Sequence, residues 1–250
     1  MEYKLNSKDM RTNVFWGMLL LLFCAFAFSG CQKEDDGFRG FLSEATVMGD
    51  SVNGFYCYLD GGGLVISHDR WLKEIERGYF AFYYTEDDWQ TDEIHGKYIA
   101  NAHILPEAVY EVIRPVSRQE AENLHVSDGD TCRTPSLFIL GNGYRGYFDL
   151  STGIAVRNSE SGKTESVPMN MIYDPDRQTA DTLVLQLCYH PRIPDTWERY
   201  SFLYGNASCD ISSFATLRSW SDSVNIVVEV GNKRHCRKIG REDFSKPELR

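Results

Sequence analysis

The chain has 250 residues and a formal net charge of −10, an acidic balance that excludes a general nucleic-acid binder, which needs a basic surface to neutralise phosphate. Its length fits one large or two small globular domains. Its 14 Tyr and 14 Phe favour strands, where aromatic side chains pack on a pleated surface.

Residues 1–13 carry Lys4, Lys8 and Arg11, and residues 14–28 run without a charge. A helix of that length rises about 22 Å, short of the roughly 30 Å hydrocarbon core of a bilayer. A basic start, a short apolar stretch and small residues at its end predict a signal peptide over 1–30. A short retained membrane anchor is the alternative, and the length argues against it. The junction Phe28-Ser29-Gly30-Cys31 resembles the lipobox of bacterial lipoproteins, although Phe28 stands where Leu is usual. The resemblance implies that the Cys31 thiol is lipidated, that the chain is cut before it, and that acyl chains anchor it in the outer membrane. Residues 31–40 then form an acidic tether. Gln32-Lys33-Glu34-Asp35-Asp36 resembles the export tag of Bacteroidota-type surface lipoproteins, which implies exposure at the cell surface; the periplasmic face is the alternative.

From Phe38 the pattern is mostly strand. Residues 41–48 and 55–59 have strand lengths and apolar content. Asp60-Gly61-Gly62-Gly63 predicts a hairpin turn into 64–67, because Gly accepts positive φ without steric cost. Residues 69–78 predict a helix with Asp69 as N-cap and Gly78 past its end. A buried strand follows over 79–84. Residues 97–105 alternate as a strand, and Pro106, which cannot donate to a ladder, predicts a break or a sheet edge. A further strand spans 108–113. Ser117 and Glu120 have capping-box spacing for a short helix to about Leu124. The turn-rich stretch 126–136 and the residues before it place a domain boundary in the region 112–135.

The second half is again strand after strand, with a turn cluster over residues 141–146 and a strand over 166–174. The clearest strand is 183–190, with Leu183, Leu185, Leu187 and Tyr189 on one face and Val184, Gln186, Cys188 and His190 on the other. Residues 223–230 form a last apolar strand. From Gly231 the chain reads as a solvated basic tail carrying Lys233, Arg234, Arg237, Lys238 and Arg241, a charge that could also meet anionic polysaccharide. Short strands between turn signals predict an all-β fold of the sandwich or barrel class.

The lipobox with its acidic tether, Ala45-Thr46-Val47 leading to the Gly61-Gly62-Gly63 hairpin, and the stretch from Leu185 to Asp195 together resemble the NigD-like lipoproteins. The resemblance covers most of the chain after Cys31 and rests on spacing and texture. It implies a small OB-like barrel over 41–112 followed by an immunoglobulin-like β-sandwich over 113–245. It implies no catalytic activity. This chain departs from the family's pattern in having Cys188-Tyr189 where an Arg often precedes the His, and in its Pro191–Pro194 loop.

Catalytic and cofactor signatures are sparse. Gly49-Asp50-Ser51-Val52 resembles the block of a lipase family, but no downstream Asp-x-x-His exists and Ser51 sits between two strands, so a hairpin turn is the better reading. His68, His95, His103, His125, His190 and His235 form no HExxH or HxH pair, and there is no CxxC, so no metal site is predicted; one could assemble only from distant segments. The glycine run lacks the Lys-Ser/Thr of a phosphate loop, and no cofactor is predicted. Carboxylates crowd loops, as at Glu86-Asp87-Asp88, without the fixed cleft separation of a glycosidase. Cys57, Cys132, Cys188, Cys209 and Cys236 remain after Cys24 and Cys31, an odd set whose pairing is open. Ser51, Thr182 and Ser223 each follow Asp and precede an apolar residue, which resembles the O-glycosylation acceptor of exported proteins in these bacteria; chance at turn-to-strand junctions is the other reading.

The sequence therefore predicts a surface lipoprotein acting as a binding or accessory module, without catalysis, through loops that meet a protein or a glycan. Trp89, Trp197 and Trp220 are candidates for sugar stacking, with core packing as their ordinary fate. An envelope hydrolase acting on a glycan or ester is one alternative. A structural or immunity-type partner of a membrane receptor is another. No nucleic-acid partner is expected.

Overall fold

The computed structural model describes residues 37–125, 138–158, 164–189, 193, 201–215 and 222–247. The chain divides into two compact units, Met1–Phe38 and Arg39–Arg250, and the fold below is that of the second. Cys31, Cys132, His190, Trp197 and Trp220 lie outside the described residues.

Seven strands make the first sheet: β1 (Arg39–Asp50), β2 (Gly54–Leu59), β3 (Leu64–Ser67), β4 (Arg77–Tyr84), β5 (Trp89–Asp92), β6 (Gly96–Ile99) and β7 (His103–Val109). Their order is β5-β6-β3-β2-β1-β4-β7. The hairpin from β1 to β2 closes because the Val52 and Asn53 backbone N–H groups donate to Asp50 Oδ1 at 2.7 and 2.8 Å, an Asx turn. Period-2 alternation then sends Val47, Cys57, Phe80, Phe82 and Ile104 into one core cluster. Fully burying each of those two Phe side chains contributes about 1.5–3 kcal/mol. Opposite parity places Glu44, Thr46 and Arg77 on the other face.

Ten more strands form two further sheets: β8 (Glu111–Ile113), β9 (Val116–Ser117), β10 (Phe138–Tyr144), β11 (Tyr147–Asn158), β12 (Thr164–Ser166), β13 (Met169–Tyr173), β14 (Thr182–Tyr189), β15 (Ser201–Asp210), β16 (Ser223–Val230) and β17 (Lys233–Gly240). The second sheet runs β10-β11-β15-β8, with β12 on β11, and the third runs β17-β16-β14-β13-β9. Leu183, Leu185, Leu187 and Tyr189 of β14 meet Phe148, Leu150 and Ala207 of the second sheet in one large core. Cys188, on the opposite face of β14, packs with Ile172 and with Ala121 of the short helix α1 (Arg118–Asn123). Ser117 Oγ caps that helix by accepting from the Glu120 N–H at 3.1 Å. The fold is all-β with one short α-helix among the described residues.

Several local expectations are corrected. Residues 69–78 are not one helix: a 3-10 turn spans Arg70–Glu74, and Arg77 and Gly78 already belong to β4. Asp69 is the N-cap residue of that turn, as expected, but its side chain makes no capping bond; its carboxylate accepts from the Ile104 N–H at 2.8 Å. The stretch 97–105 divides into β6 and β7 around Asn101, whose φ is +60°. Pro106 is at a sheet edge as expected: it lies on β7, the edge strand, beside a register shift opposite Tyr79 and Phe80. The basic residues after Gly231 are not a tail: Lys233, Arg234, Arg237 and Lys238 lie on β17, paired with β16 from Ser223↔Gly240 to Val230↔Lys233, and Arg241 opens the 3-10 turn that follows. The β17 charges guard a sheet edge.

Candidate functional site

Two polar constellations form where the strands of the first two sheets end. The first centres on Arg77, which is 0% exposed. Its guanidinium donates to both carboxylate oxygens of Asp60 at 2.5 Å, to Asp149 Oδ1 at 3.1 Å and Oδ2 at 2.5 Å, and to Thr46 Oγ1 at 3.3 Å. All five guanidinium N–H groups are thereby used. Ser208 Oγ donates to Asp149 Oδ1 at 2.7 Å, and Tyr110 Oη donates to Glu44 Oε1 at 3.0 Å. Burial opposes the Arg77 charge, but the hydrogen bonds to Asp60 and Asp149 outweigh it and raise its pKa. Burial raises the Asp60 pKa, the hydrogen bonds and charge of Arg77 offset only part of that, and the neighbouring Asp149 charge adds to it. Glu44 is raised by burial and then by the Asp149 charge.

Glu44, Asp60 and Asp149 offer oxygens within 4.8 Å of one another, from three segments far apart in sequence. Arg77 is hydrogen-bonded to two of them, Asp60 and Asp149, so the cluster works as an internal clasp.

The second constellation is a groove of about 370 Å³ lined by Tyr58, Leu64, Ile94, His95 and Arg145, with Gly63 and Pro247 at its rim. Tyr144 and Tyr147 are register partners, so Arg145 and Gly146 form a two-residue hairpin turn. Their φ values are +48° and +88°, the signature of a type I′ turn. Asn or Asp is the usual residue at the first position, because an ordinary side chain is strained there. Arg145 is therefore held against local preference. The turn is pinned by the Gly146 N–H donating to Asp243 O at 2.5 Å and the Ile211 N–H donating to Gly146 O at 2.8 Å. The Arg145 guanidinium carbon lies 5.2 Å from the Tyr58 ring centroid and 5.0 Å from that of Tyr144. Its Nε is buried without a hydrogen-bond partner.

His95 reaches the groove from the β5–β6 turn. The Ile94 and His95 N–H groups donate to Asp92 Oδ1 at 2.9 and 2.6 Å, and Asp92 Oδ2 lies 2.9 Å from His95 Nδ1. Asp92 is pulled below the usual carboxylate range, first by that imidazole contact and then by the His95 N–H. Tyr56 and Tyr98 lie 6.0 and 5.6 Å from the His95 ring.

The residues singled out from sequence fall elsewhere. Ser51 is exposed at the tip of the β1–β2 Asx turn, as expected of a hairpin residue. Thr182 opens β14 half-buried, its Oγ1 donating to Asp181 Oδ1 at 3.1 Å. Ser223 opens β16, also half-buried. Trp89 is partly exposed, but Lys97 Nζ sits 4.3 Å over its ring and Tyr84 packs edge-on against it. Cys57, Cys188 and Cys209 are buried and Cys236 is exposed. Arg145 escaped the sequence reading because it sat inside a turn cluster. The available signal was an Arg directly before a hairpin Gly.

No family model and no curated protein matches the chain. Solved structures do match. A NigD-like immunity protein from Bacteroides caccae has a TM-score of 0.43 and 14% identity, covering 80% of this chain and 92% of that one. A candidate lipoprotein from Bacteroides fragilis has a TM-score of 0.47 and 14% identity, covering 84% and 100%. A DUF1344 protein of unknown function from Bacteroides vulgatus has a TM-score of 0.43 and 14% identity, covering 81% and 90%.

Proposed function

We propose that the chain is a non-catalytic binding module of the cell surface, anchored in the outer membrane through lipid on Cys31 and presenting two β modules, 41–112 and 113–245. One observation carries the binding role. Arg145 occupies a turn position that disfavours it, with its side chain between two tyrosines at the wall of the groove. Strain of this kind persists where the surroundings enforce it, and such positions concentrate at ligand sites. The groove falls within the roughly 300–1,000 Å³ typical of small-ligand sites.

The test is a glycan array combined with a pull-down from solubilised outer membrane, each run with the parent chain and with Arg145→Asn. Ligand capture by the parent and its loss in the variant are expected. Capture that survives the substitution overturns the groove as the site. The anchor is tested separately. Cys31→Ala should release the chain from the membrane fraction, and protease shaving of intact cells should cleave the parent. Protection until lysis overturns the outward orientation.

A further inference from the structure

We infer that the Arg145 groove takes a carboxylate-bearing sugar, with the acid group on the Arg145 guanidinium and the sugar ring against the neighbouring tyrosines. This rests on the binding reading above and names the ligand class of that site.

The guanidinium sets the chemistry. Its planar fork matches a carboxylate through two parallel hydrogen bonds. Arg145 lines the groove, and the fork it can offer there is the pair of terminal NH2 groups, with Nε buried behind them without a partner. By contrast, the Arg77 guanidinium is saturated by Asp60, Asp149 and Thr46. Asp60 and Asp243 both feel the Arg145 charge. Asp60, however, is already hydrogen-bonded to Arg77.

The surroundings set the rest of the ligand. Tyr58 and Tyr144 flank the cation with rings, and an aromatic side chain offers an apolar face with a polar tip. Leu64 and Ile94 add apolar wall, and Ile94 is 63% exposed at the rim. His95 has Nδ1 committed to Asp92, so Nε2 is the nitrogen it can offer a hydroxyl. A ring with one acidic and several hydroxyl groups fits this mixture.

Two other anions fit less well. A peptide carboxylate held by strand addition needs a free sheet edge, whereas β2 and β3, which carry Tyr58 and Leu64, are each paired on both sides. Phosphate sites draw on several cations or on a helix N-terminus. Here the nearby Lys246 is bound to Asp210 at 2.7 Å. The chain's −10 net charge repels anions in general, so capture has to be local to the guanidinium.

The test is titration calorimetry on the chain from residue 32 onward. The probes are a trigalacturonate, the same trisaccharide with its carboxyls reduced to alcohols, and inorganic phosphate. Trigalacturonate should bind, and carboxyl reduction should weaken it about ten- to a hundred-fold, the range for a charged hydrogen-bonded pair. Arg145→Asn should match that loss while unfolding no earlier than the parent. Arg145→Lys, which keeps the charge and loses the fork, should also bind more weakly. Equal affinity for the acidic and reduced sugars overturns the carboxylate and leaves the binding module standing. Tighter binding of phosphate than of trigalacturonate overturns the sugar. Failure of both sugars, with no Arg145-dependent capture on the array, overturns this inference and the binding reading together.

Discussion

Arg77 on β4 donates two hydrogen bonds to Asp149 on β11, at 3.1 and 2.5 Å and 72 residues apart in sequence. The same guanidinium holds Asp60, so one buried cation ties the first sheet to the second. Removing one partner of a buried pair costs about 3–5 kcal/mol, because the charge left behind is uncompensated. Arg77→Met should therefore lower the unfolding free energy in urea by about that amount. A triple variant that also converts Asp60 and Asp149 to Leu should regain much of the loss, since apolar replacement of buried ion clusters is often neutral.

Arg145→Asn should act in the opposite direction. The left-handed conformation costs an ordinary L-residue about 1–2 kcal/mol, and Asn tolerates it. The lost contacts with Tyr58 and Tyr144, about 0.5–1 kcal/mol each, offset that, while removal of the buried unpartnered Nε relieves about 1–3 kcal/mol. A small net gain in thermal stability, measured calorimetrically, should accompany the loss of ligand.

Glu44 gives the clasp a pH signature. Burial, and then Asp149, raise its pKa, so the folded chain holds this proton more tightly than the unfolded chain does. Stability from this group is therefore greatest in acid and falls as pH rises from the ordinary carboxylate value through the raised one. Glu44→Gln removes the titrating group and keeps an acceptor for Tyr110. Urea midpoints of parent and variant should converge near about pH 4 and separate in favour of the variant by about pH 7. A constant difference between them would show that Glu44 does not titrate in this window.

Gly78 admits no side chain. A Cβ there would meet Phe80 Cζ at 2.6 Å and the Ala108 carbonyl oxygen at 2.7 Å. Gly78→Ala should cost about 1–3 kcal/mol, the range for overpacking, read as a lower melting temperature.

The cysteines should separate by reactivity. Cys57 and Cys209 are fully buried, and burial pushes the Cys188 thiol up to about 11. Among the four thiols described, native labelling with a maleimide should modify Cys236 quickly. The other three should react only on unfolding, read by mass spectrometry.

What the sequence disclosed and what it hid follow from the range of the forces involved. Leu183, Leu185, Leu187 and Tyr189 were legible because each lines the same core and the alternation is local. Arg77 was misplaced on a helix because the groups that hold it in β4, Asp60 and Asp149, come from other segments. The β17 strand was read as a tail because an edge strand wet on its outer side needs few apolar residues, here Ile239. Arg145 was hidden for a related reason: its role depends on Tyr58, which a different sheet supplies.

Between Val109 and Ser117 the chain leaves the first sheet, lays β8 parallel to β15, and then lays β9 parallel to β13. The register partner of Glu111 is Ala207, and that of Val116 is Ile172. As the chain emerges end-first from a ribosome or a translocon, both short strands are delivered long before the strands that receive them. Non-local closure of this kind is slow, so neither of the last two sheets can be completed until the strands that receive β8 and β9 have arrived.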